Sequence, residues 1–330
     1  MTQLPPPRPQ EVAAVVIGRN EAARLRITLP ALCAQVARGV YVDSGSRDDS
    51  VAVARAHGLE VVELDTSAPF SAARGRNAGV AALRAGGLPE FVQLLDGDCE
   101  VQPGWVAAGL NHLRSNADCG IVAGQIEEIA PGASIYNALC DVEWRKPAGE
   151  IASCTGTMLL RGAGFAAVGG FNPSIIAAED DDFCLRMRAH GLRTWMLARP
   201  MARHDADLHR FAPWWRRMVR AGYGFAQVGD LHPGHFTASR RRVLLYGLAL
   251  PVLALAGLFL GFWLTLAALA LYALSWGKTA RGLMRGGQPP GRAAKLAGLL
   301  VLTKPANLIG LATYYLRRAR RQENQIIEYK

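Results

Sequence analysis

The chain has 330 residues, enough for one large domain or two smaller ones, and half of them are hydrophobic. Its formal net charge of +10 is uneven: Arg240 to Lys330 carry 14 Lys and Arg against two Glu, leaving 23 basic and 25 acidic groups on residues 1–239. A basic excess confined to the apolar quarter of the chain argues against a nucleic-acid surface and for a membrane segment with cytoplasmic flanks.

Residues 1–10 are Pro-rich and are expected to be disordered. They contain no apolar h-region, so no signal peptide is read and the first domain is expected to stay in the cytoplasm. The six cysteines (33, 99, 119, 140, 154, 184) show neither Cys-x-x-Cys nor zinc spacing, as in a reduced cytoplasmic domain. Val12 to Ile17 reads as a first buried strand, ending at Gly18-Arg19-Asn20-Glu21. Leu25, Leu29, Leu32 and Val36 on one face predict a helix over 22–37, stopped by Gly39. Val40 to Val42 is a second strand, ending in a loop dense in caps and carboxylates, Asp43 to Ser50. Helix 51–57, strand 59–64 and helix 72–84 come after it, the last with Arg74, Arg76 and Asn77 near its start.

Phe91 to Leu95 then runs straight into Asp96-Gly97-Asp98. Such a run is apolar on both faces, as in a buried parallel strand. In open α/β sheets ligands bind beyond the carboxyl ends of strands. Two Asp at i and i+2 around a glycine can approach one hard cation; the competing reading is a turn whose Asp caps the next segment of chain. Helix 105–114, strand 120–125, an irregular 130–150, strand 155–160 and the turn Gly169 to Pro173 come next. Glu179-Asp180-Asp181-Asp182 opens helix 183–190. Acidic residues favour helix starts, but four together repel one another and invite a cation or basic ligand. Arg193 to Leu197 is the last predicted strand. This alternation predicts an α/β fold with a doubly wound, mostly parallel sheet.

From residue 201 the character changes. Trp214 and Trp215 beside Arg216 and Arg217 suit an amphipathic helix at headgroup depth, and residues 201–242 read as membrane-proximal. Residues 243–276 carry no charge. As one helix they would reach about 51 Å, against about 30 Å of hydrocarbon. Basic flanks at both ends require an even number of crossings, so a transmembrane hairpin breaking near Gly257 to Gly261 is expected over 243–276, with a single tilted helix as the alternative. Lys295, Lys304, Pro305 and Asn307 interrupt the next apolar stretch. Residues 277–330 are therefore expected as basic interfacial helices and a tail suited to anionic headgroups.

Taken together, the motifs resemble a family 2 glycosyltransferase with the GT-A fold over roughly Val12 to Leu197, placing the catalytic domain at 11–200. The resemblance is carried by Val15 to Glu21, Val42 to Ser50, Gly75 to Gly79, the Asp-x-Asp motif at Asp96 and Asp98, and Gly169-Gly170-Phe171 together with Glu179-Asp180. It implies that Asn20, Glu21, Asp43, Ser44, Arg76, Asn77 and Asp96 bind a nucleotide-diphosphate sugar, Asp43 at its base or ribose. It implies that Asp98, with Asp96 and His204, holds Mg²⁺ or Mn²⁺. Asp180, beside Glu179, would be the general base of an inverting transfer. The Gln-x-x-Arg-Trp of processive synthases is missing, so transfer of a single sugar to a lipid-linked acceptor at the inner face of the cytoplasmic membrane is expected. A polyprenyl-phosphate sugar synthase, and a non-catalytic membrane-tethered nucleotide-sugar binder, are the alternatives. A nucleotidyltransferase would show a Gly-rich phosphate loop after the first strand, and this chain has one glycine there.

Overall fold

The computed structural model describes residues 11–322; the tail 1–10 expected to be disordered, and residues 323–330 of the basic tail, lie outside them. The chain divides into a first unit of residues 1–129, 141–174 and 179–206, and a second of 130–140, 175–178 and 207–330.

Up to residue 206 the elements run β1 (Val12–Gly18), α1 (Ala22–Cys33), β2 (Arg38–Asp43), α2 (Ser50–Ala56), β3 (Glu60–Glu63), α3 (Ala72–Arg84), β4 (Phe91–Asp96), β5 (Cys99–Val101), α4 (Trp105–Ser115), β6 (Cys119–Glu128), α5 (Ile135–Trp144), β7 (Gly149–Ile151), β8 (Met158–Arg161), α6 (Gly162–Ala167), α7 (Glu179–Ala189) and β9 (Arg193–His204). One mixed sheet has the order β3-β2-β1-β4-β8-β6-β9-β5, with β7 on β9. β3, β2, β1 and β4 are all parallel, joined by helical crossovers. β8 enters antiparallel to β4 and β6, whereas β6 and β9 are parallel. Val12 to Val16 and Phe91 to Leu95 are buried throughout, as expected of mostly apolar strands covered on both faces; the buried Gln93 is satisfied by the Trp105 Nε1 donor at 2.8 Å. Leu25, Leu29 and Leu32 of α1 have no exposed surface. Truncating any one of them to Ala costs about 2–5 kcal/mol.

Among the differences from expectation, which include the unexpected β5 and β7 and a β8 that starts only at Met158, three have a local reason. α1 stops at Cys33 because the Ala37 amide donates to Val12 O (3.0 Å), which draws the chain toward the next strand. Residues 135–144, expected to be irregular, form α5, because Ser134 Oγ accepts from the Tyr136 and Asn137 amides at 3.1 and 2.9 Å and so caps the first turn. β9 runs on to His204 instead of ending at Leu197. Irregular pairing with β6 around Gln125 and Pro200 carries it past the proline.

The second unit contains α8 (Phe211–Leu231), α9 (Thr237–Val243), a π-helical turn over Leu244–Ala249, α10 (Leu250–Leu260), α11 (Phe262–Arg285) and α12 (Pro290–Ala319). α8 and α12 touch backbone to backbone. A Cβ on Gly222 would lie 2.0 Å from Asn307 O, and one on Gly310 would lie 1.9 Å from Val219 O. α10 and α11 fold back on each other at Gly261, whose φ of 145° suits glycine alone. Thr265 Oγ1 donates to Ala254 O at 2.8 Å, and Tyr272 OH donates to Tyr246 O further along the pair, so the arms are antiparallel. Phe259, Leu260, Phe262 and Trp263 around the bend are 60–88% exposed. Two helical stretches, Thr237–Leu260 and Pro290–Ala319, are long and apolar enough to cross a membrane.

Candidate active site

The predicted site residues sit at the carboxyl ends of β1, β2, β4 and β9, on α3 and at the start of α7. The loop after β1 is knitted to the loop after β2. The Asn20 amide donates to Ser46 Oγ (2.8 Å), the Arg47 amide to Asn20 Oδ1 (2.8 Å), the Glu21 amide to Ser50 Oγ (2.8 Å) and the Ala22 amide to Asp48 Oδ2 (2.9 Å). The Ser44 amide donates to Gly18 O at 3.0 Å. Asp43 is 3% exposed. Its Oδ2 accepts from the Gly45 and Ser46 amides at 2.9 and 2.8 Å, and its Oδ1 from Tyr41 OH at 3.2 Å. Asn20 and Asp43 thus shape these loops with the side-chain oxygens expected to meet a ligand. Phe70 lies beside Gly45, with the Arg19 guanidinium 4.9 Å from its ring centroid.

Arg76, on α3, is 3% exposed. Its Nη2 donates to Asp96 Oδ1 at 2.7 Å and its Nη1 to Glu179 Oε1 at 2.8 Å. Burial alone would lower its proton affinity; Asp96 and Glu179 reverse that, and the guanidinium stays charged. Asn77, the next residue, brackets Phe171: its Nδ2 donates to Phe171 O and its Oδ1 accepts from the Phe171 amide, both at 2.8 Å. Arg76 and Asn77 therefore tie α3 to segments 103 and 94 residues further along the chain.

Asp98, Cys99 and His204 form the one group among the described residues with three ligand atoms close enough to share a metal, all within 4.8 Å of one another. The β5–β9 register sets this up by pairing Cys99 with His204, which puts His204 Nε2 3.1 Å from Asp98 Oδ1. The Trp144 ring stacks flat on the imidazole at 4.3 Å. Burial would lower the His204 proton affinity, but the neighbouring Asp98 carboxylate and Cys99 raise it well above the ordinary value. A carboxylate and an imidazole suit Mn²⁺ and, less well, the oxygen-preferring Mg²⁺. The Cys99 thiol is the weaker candidate, because burial pushes its pKa up and keeps it protonated. The donor set therefore fits a divalent cation held by Asp98 and His204. Asp96, the other carboxylate of the Asp-x-Asp turn, is held by Arg76.

The four acids opening α7 separate by partner. Glu179 is paired with Arg76, Asp181 accepts from Ser153 Oγ at 2.5 Å, and Asp182 accepts from Arg186 Nε at 2.9 Å. For Asp180 the bond seen is a 3.0 Å bond from the Asp181 amide. Burial, with the Glu179 and Asp181 charges beside it, raises the Asp180 pKa well above the carboxylate range. Such a carboxylate is a stronger proton acceptor than an ordinary one. Ala178, just before the helix, has a φ of 60°, unusual for a residue with a Cβ.

Sequence patterning does not single out Cys99, Trp144 or the caps Ser46, Asp48 and Ser50. Cys99 and Trp144 carry no spacing signal and meet His204 only through the long β9. The caps are foreshadowed only by the density of polar residues between 43 and 50.

Residues 14–159 match the family model described as Glycosyl transferase family 2. A pre-mycofactocin glycosyltransferase of Mycobacterium tuberculosis is 28% identical over 246 residues, covering 69% of this chain and 49% of the relative, so the chain spans about half the length of the curated relatives it matches. Among solved structures, mannosyltransferase PcManGT from Pyrobaculum calidifontis, in complex with GDP-Man and Mn²⁺, aligns at 15% identity with a TM-score of 0.58 over 94% of this chain and 88% of that one. S. aureus TarS aligns at 14% identity with a TM-score of 0.48, over 73% of this chain and 43% of that one. The strand order and the likeness to PcManGT show the GT-A fold, and residues 14–159 carry the match to the family 2 glycosyltransferases.

Proposed function

We propose that this chain moves a single sugar from a nucleotide-diphosphate donor, with inversion at the anomeric carbon, to a lipid-linked or other amphiphilic acceptor at the inner face of the cytoplasmic membrane. The observation that carries the reading is that Arg76 joins Asp96, two residues from the metal-capable Asp98, to Glu179, the neighbour of Asp180, whose proton affinity is raised. The likeness to a mannosyltransferase solved with GDP-Man and Mn²⁺ supports a donor of this class.

In this reading Asp98 and His204 hold Mn²⁺ or Mg²⁺ against the donor diphosphate. The cation, when bound, neutralises the leaving group. Asp180 accepts the proton of the acceptor hydroxyl as that oxygen attacks the anomeric carbon. Asp96 and Glu179, fixed by Arg76, flank the two halves of the reaction. The Asn20–Glu21 and Asp43–Ser44 loops, already braced, present backbone amides and hydroxyls to the nucleotide, so little ordering is left for binding to accomplish.

The membrane part rests on the second unit. Each arm of its hairpin, Thr237–Leu260 and Phe262–Arg285, has 24 residues. Without the charged ends the arms keep residues 243–260 and 262–277, about 27 and 24 Å, short spans that local thinning of about 30 Å of hydrocarbon would accommodate. Because the arms are antiparallel, Arg240 to Arg242 and Lys278 to Arg285 lie at the same end, the end that the positive-inside rule places in the cytoplasm. α12 is long enough to cross, but it has Arg292 and Lys295 near its start, Lys304 in its middle and Arg317 and Arg318 at its end. That pattern favours the surface over a third crossing.

Transfer of labelled sugar from UDP, GDP and dTDP sugars by the full chain in vesicles would test the reading. Label should enter the lipid fraction, dependent on Mn²⁺ or Mg²⁺. Label passing only to water-soluble acceptors would remove the lipid-linked acceptor, and no transfer from any donor would favour a non-catalytic binder. Single cysteines placed near Arg242 and Lys278 should both be labelled from the cytoplasmic side; labelling near Lys278 from outside would overturn the hairpin.

A further inference from the structure

The residue facing Arg76 from the loop before β8 is Gly156, and its missing side chain is what lets the guanidinium reach both carboxylates. A Cβ at 156 would lie 1.8 Å from Arg76 Nη2 and 2.4 Å from Arg76 Cζ. Nη2 is the nitrogen that holds Asp96, one residue from the strand-end glycine. Nη1 holds Glu179, the first residue of the helix that carries Asp180. The Nε of this buried guanidinium has no partner among the described residues, so the side chain is not placed where its own hydrogen bonds are best satisfied. Its position is set by the two carboxylates and by the Phe171 ring, 5.3 Å from Cζ.

We infer that Gly156 and Arg76 form a positioning pair that fixes the donor-side Asp96 and the acceptor-side start of α7 at one spacing, so that Asp180 meets the bound donor in a reactive geometry. The inference rests on the transferase reading above. It assigns Gly156 a role through Arg76 and no contact with substrate. An arginine suits the task because its planar fork can serve two carboxylates at once; a lysine ammonium is a single point of charge. The arginine end is flexible in principle, so a Cβ at 156 is accommodated by moving it. Here that movement breaks both ion pairs while leaving the fold intact. Arg76 is also a positive charge that lowers the proton affinity of Asp180, so its withdrawal moves the Asp180 titration upward.

The test is a double-mutant cycle on the full chain, read by kcat, its pH profile and calorimetric binding of a nucleoside diphosphate with Mn²⁺. Gly156→Ala should keep nucleotide affinity near native and lower kcat by about 10- to 100-fold, the size expected for displacement of about an ångström at a reacting centre. Its kcat midpoint should move to higher pH. In an Arg76→Lys background, which has no Nη2 at that spot, adding Gly156→Ala should cost little further, a strongly non-additive pair. Native kcat and pH profile in Gly156→Ala, or equal costs in the two backgrounds, overturns the inference. Should Gly156→Ala fail to fold, Arg76→Lys alone, which keeps the charge but loses the fork, must show the kcat loss with retained nucleotide binding, and native behaviour there overturns it equally. A native enzyme that transfers no sugar defeats the transferase reading instead, so the two failures are distinguishable.

Discussion

The two sides of the site are built differently. On the side of the first two strands the polar groups are engaged with one another: Asn20, Asp43, Asp48 and Ser50 all bond within their loops. On the side of β5, β9 and α7 charge is crowded instead. Asp180 and His204 both have raised proton affinities, one because burial and like charges surround it, the other because Asp98 lies against it. Hydrogen bonding to carboxylates and hydroxyls gives a braced loop, and a braced loop loses little freedom when a nucleotide arrives. The like charges crowded about Asp180 cost stability and are relieved when a proton or a cation arrives, whereas the His204–Asp98 pair is an attraction that a cation would replace. In the proposed function the braced side would recognise the donor and the charged side would react.

That contrast breaks most sharply at Asp180. Asp180→Asn should leave nucleotide binding intact and lower kcat by about 10²- to 10⁴-fold, the usual worth of a general base. Near-native turnover would move the base elsewhere, with Glu179 or Asp181 next. The same variant should melt at a higher temperature near neutral pH. Linkage sets the sign. A carboxyl with a raised folded-state pKa binds its proton more tightly folded than unfolded, so ionising it costs stability as pH rises from the ordinary carboxylate range through the folded value. For the same reason native kcat should climb with pH through a midpoint above the ordinary carboxylate value of about 4. A kcat already flat from pH 4 upward would show Asp180 to be unperturbed.

A smaller effect is expected at His204. His204→Ala should raise the Mn²⁺ concentration needed for half-maximal nucleotide binding by at least about 10-fold, since even residues behind a ligand carry that much; an unchanged requirement would leave the imidazole a purely structural partner of Trp144. The smallest lies on the braced side. Asp48→Ala removes an acceptor for the Ala22 and Ser50 amides and should lower stability by about 1 kcal/mol, as for a lost helix cap, without changing kcat. A kcat loss as large as that of Asp180→Asn would mean that the loop side also reacts.

Much of this was legible in the chain itself. Val12 to Ile17 and Phe91 to Leu95 announce buried strands because both faces must be apolar, and the Asp96-Gly97-Asp98 break marks the strand end where a ligand would meet them. The acids at 179–182 announce a helix start. What the chain does not announce is pairing across long separations. His204 comes to Asp98 only because β9 continues past Pro200, and residues 198–204 (Ala-Arg-Pro-Met-Ala-Arg-His) have neither strand periodicity nor an apolar run. α5 is hidden because its cap, Ser134, comes soon after Pro131-Gly132, a turn signal that masks a helix start three residues on. Asp182 pairs with Arg186 at the local i,i+4 spacing, but the pairing of Glu179 with Arg76 and of Asp181 with Ser153 is set by tertiary contacts 103 and 28 residues apart in sequence, which no local pattern encodes.

The most direct test of the account is calorimetric titration of GDP and UDP into the full chain, with and without Mn²⁺, for native protein, Asp98→Ala and Asp180→Asn. The account predicts that Mn²⁺ strengthens binding of the preferred nucleotide in the native chain and in Asp180→Asn, and that this gain disappears in Asp98→Ala. An Asp98→Ala variant that keeps the full Mn²⁺-dependent gain would contradict it.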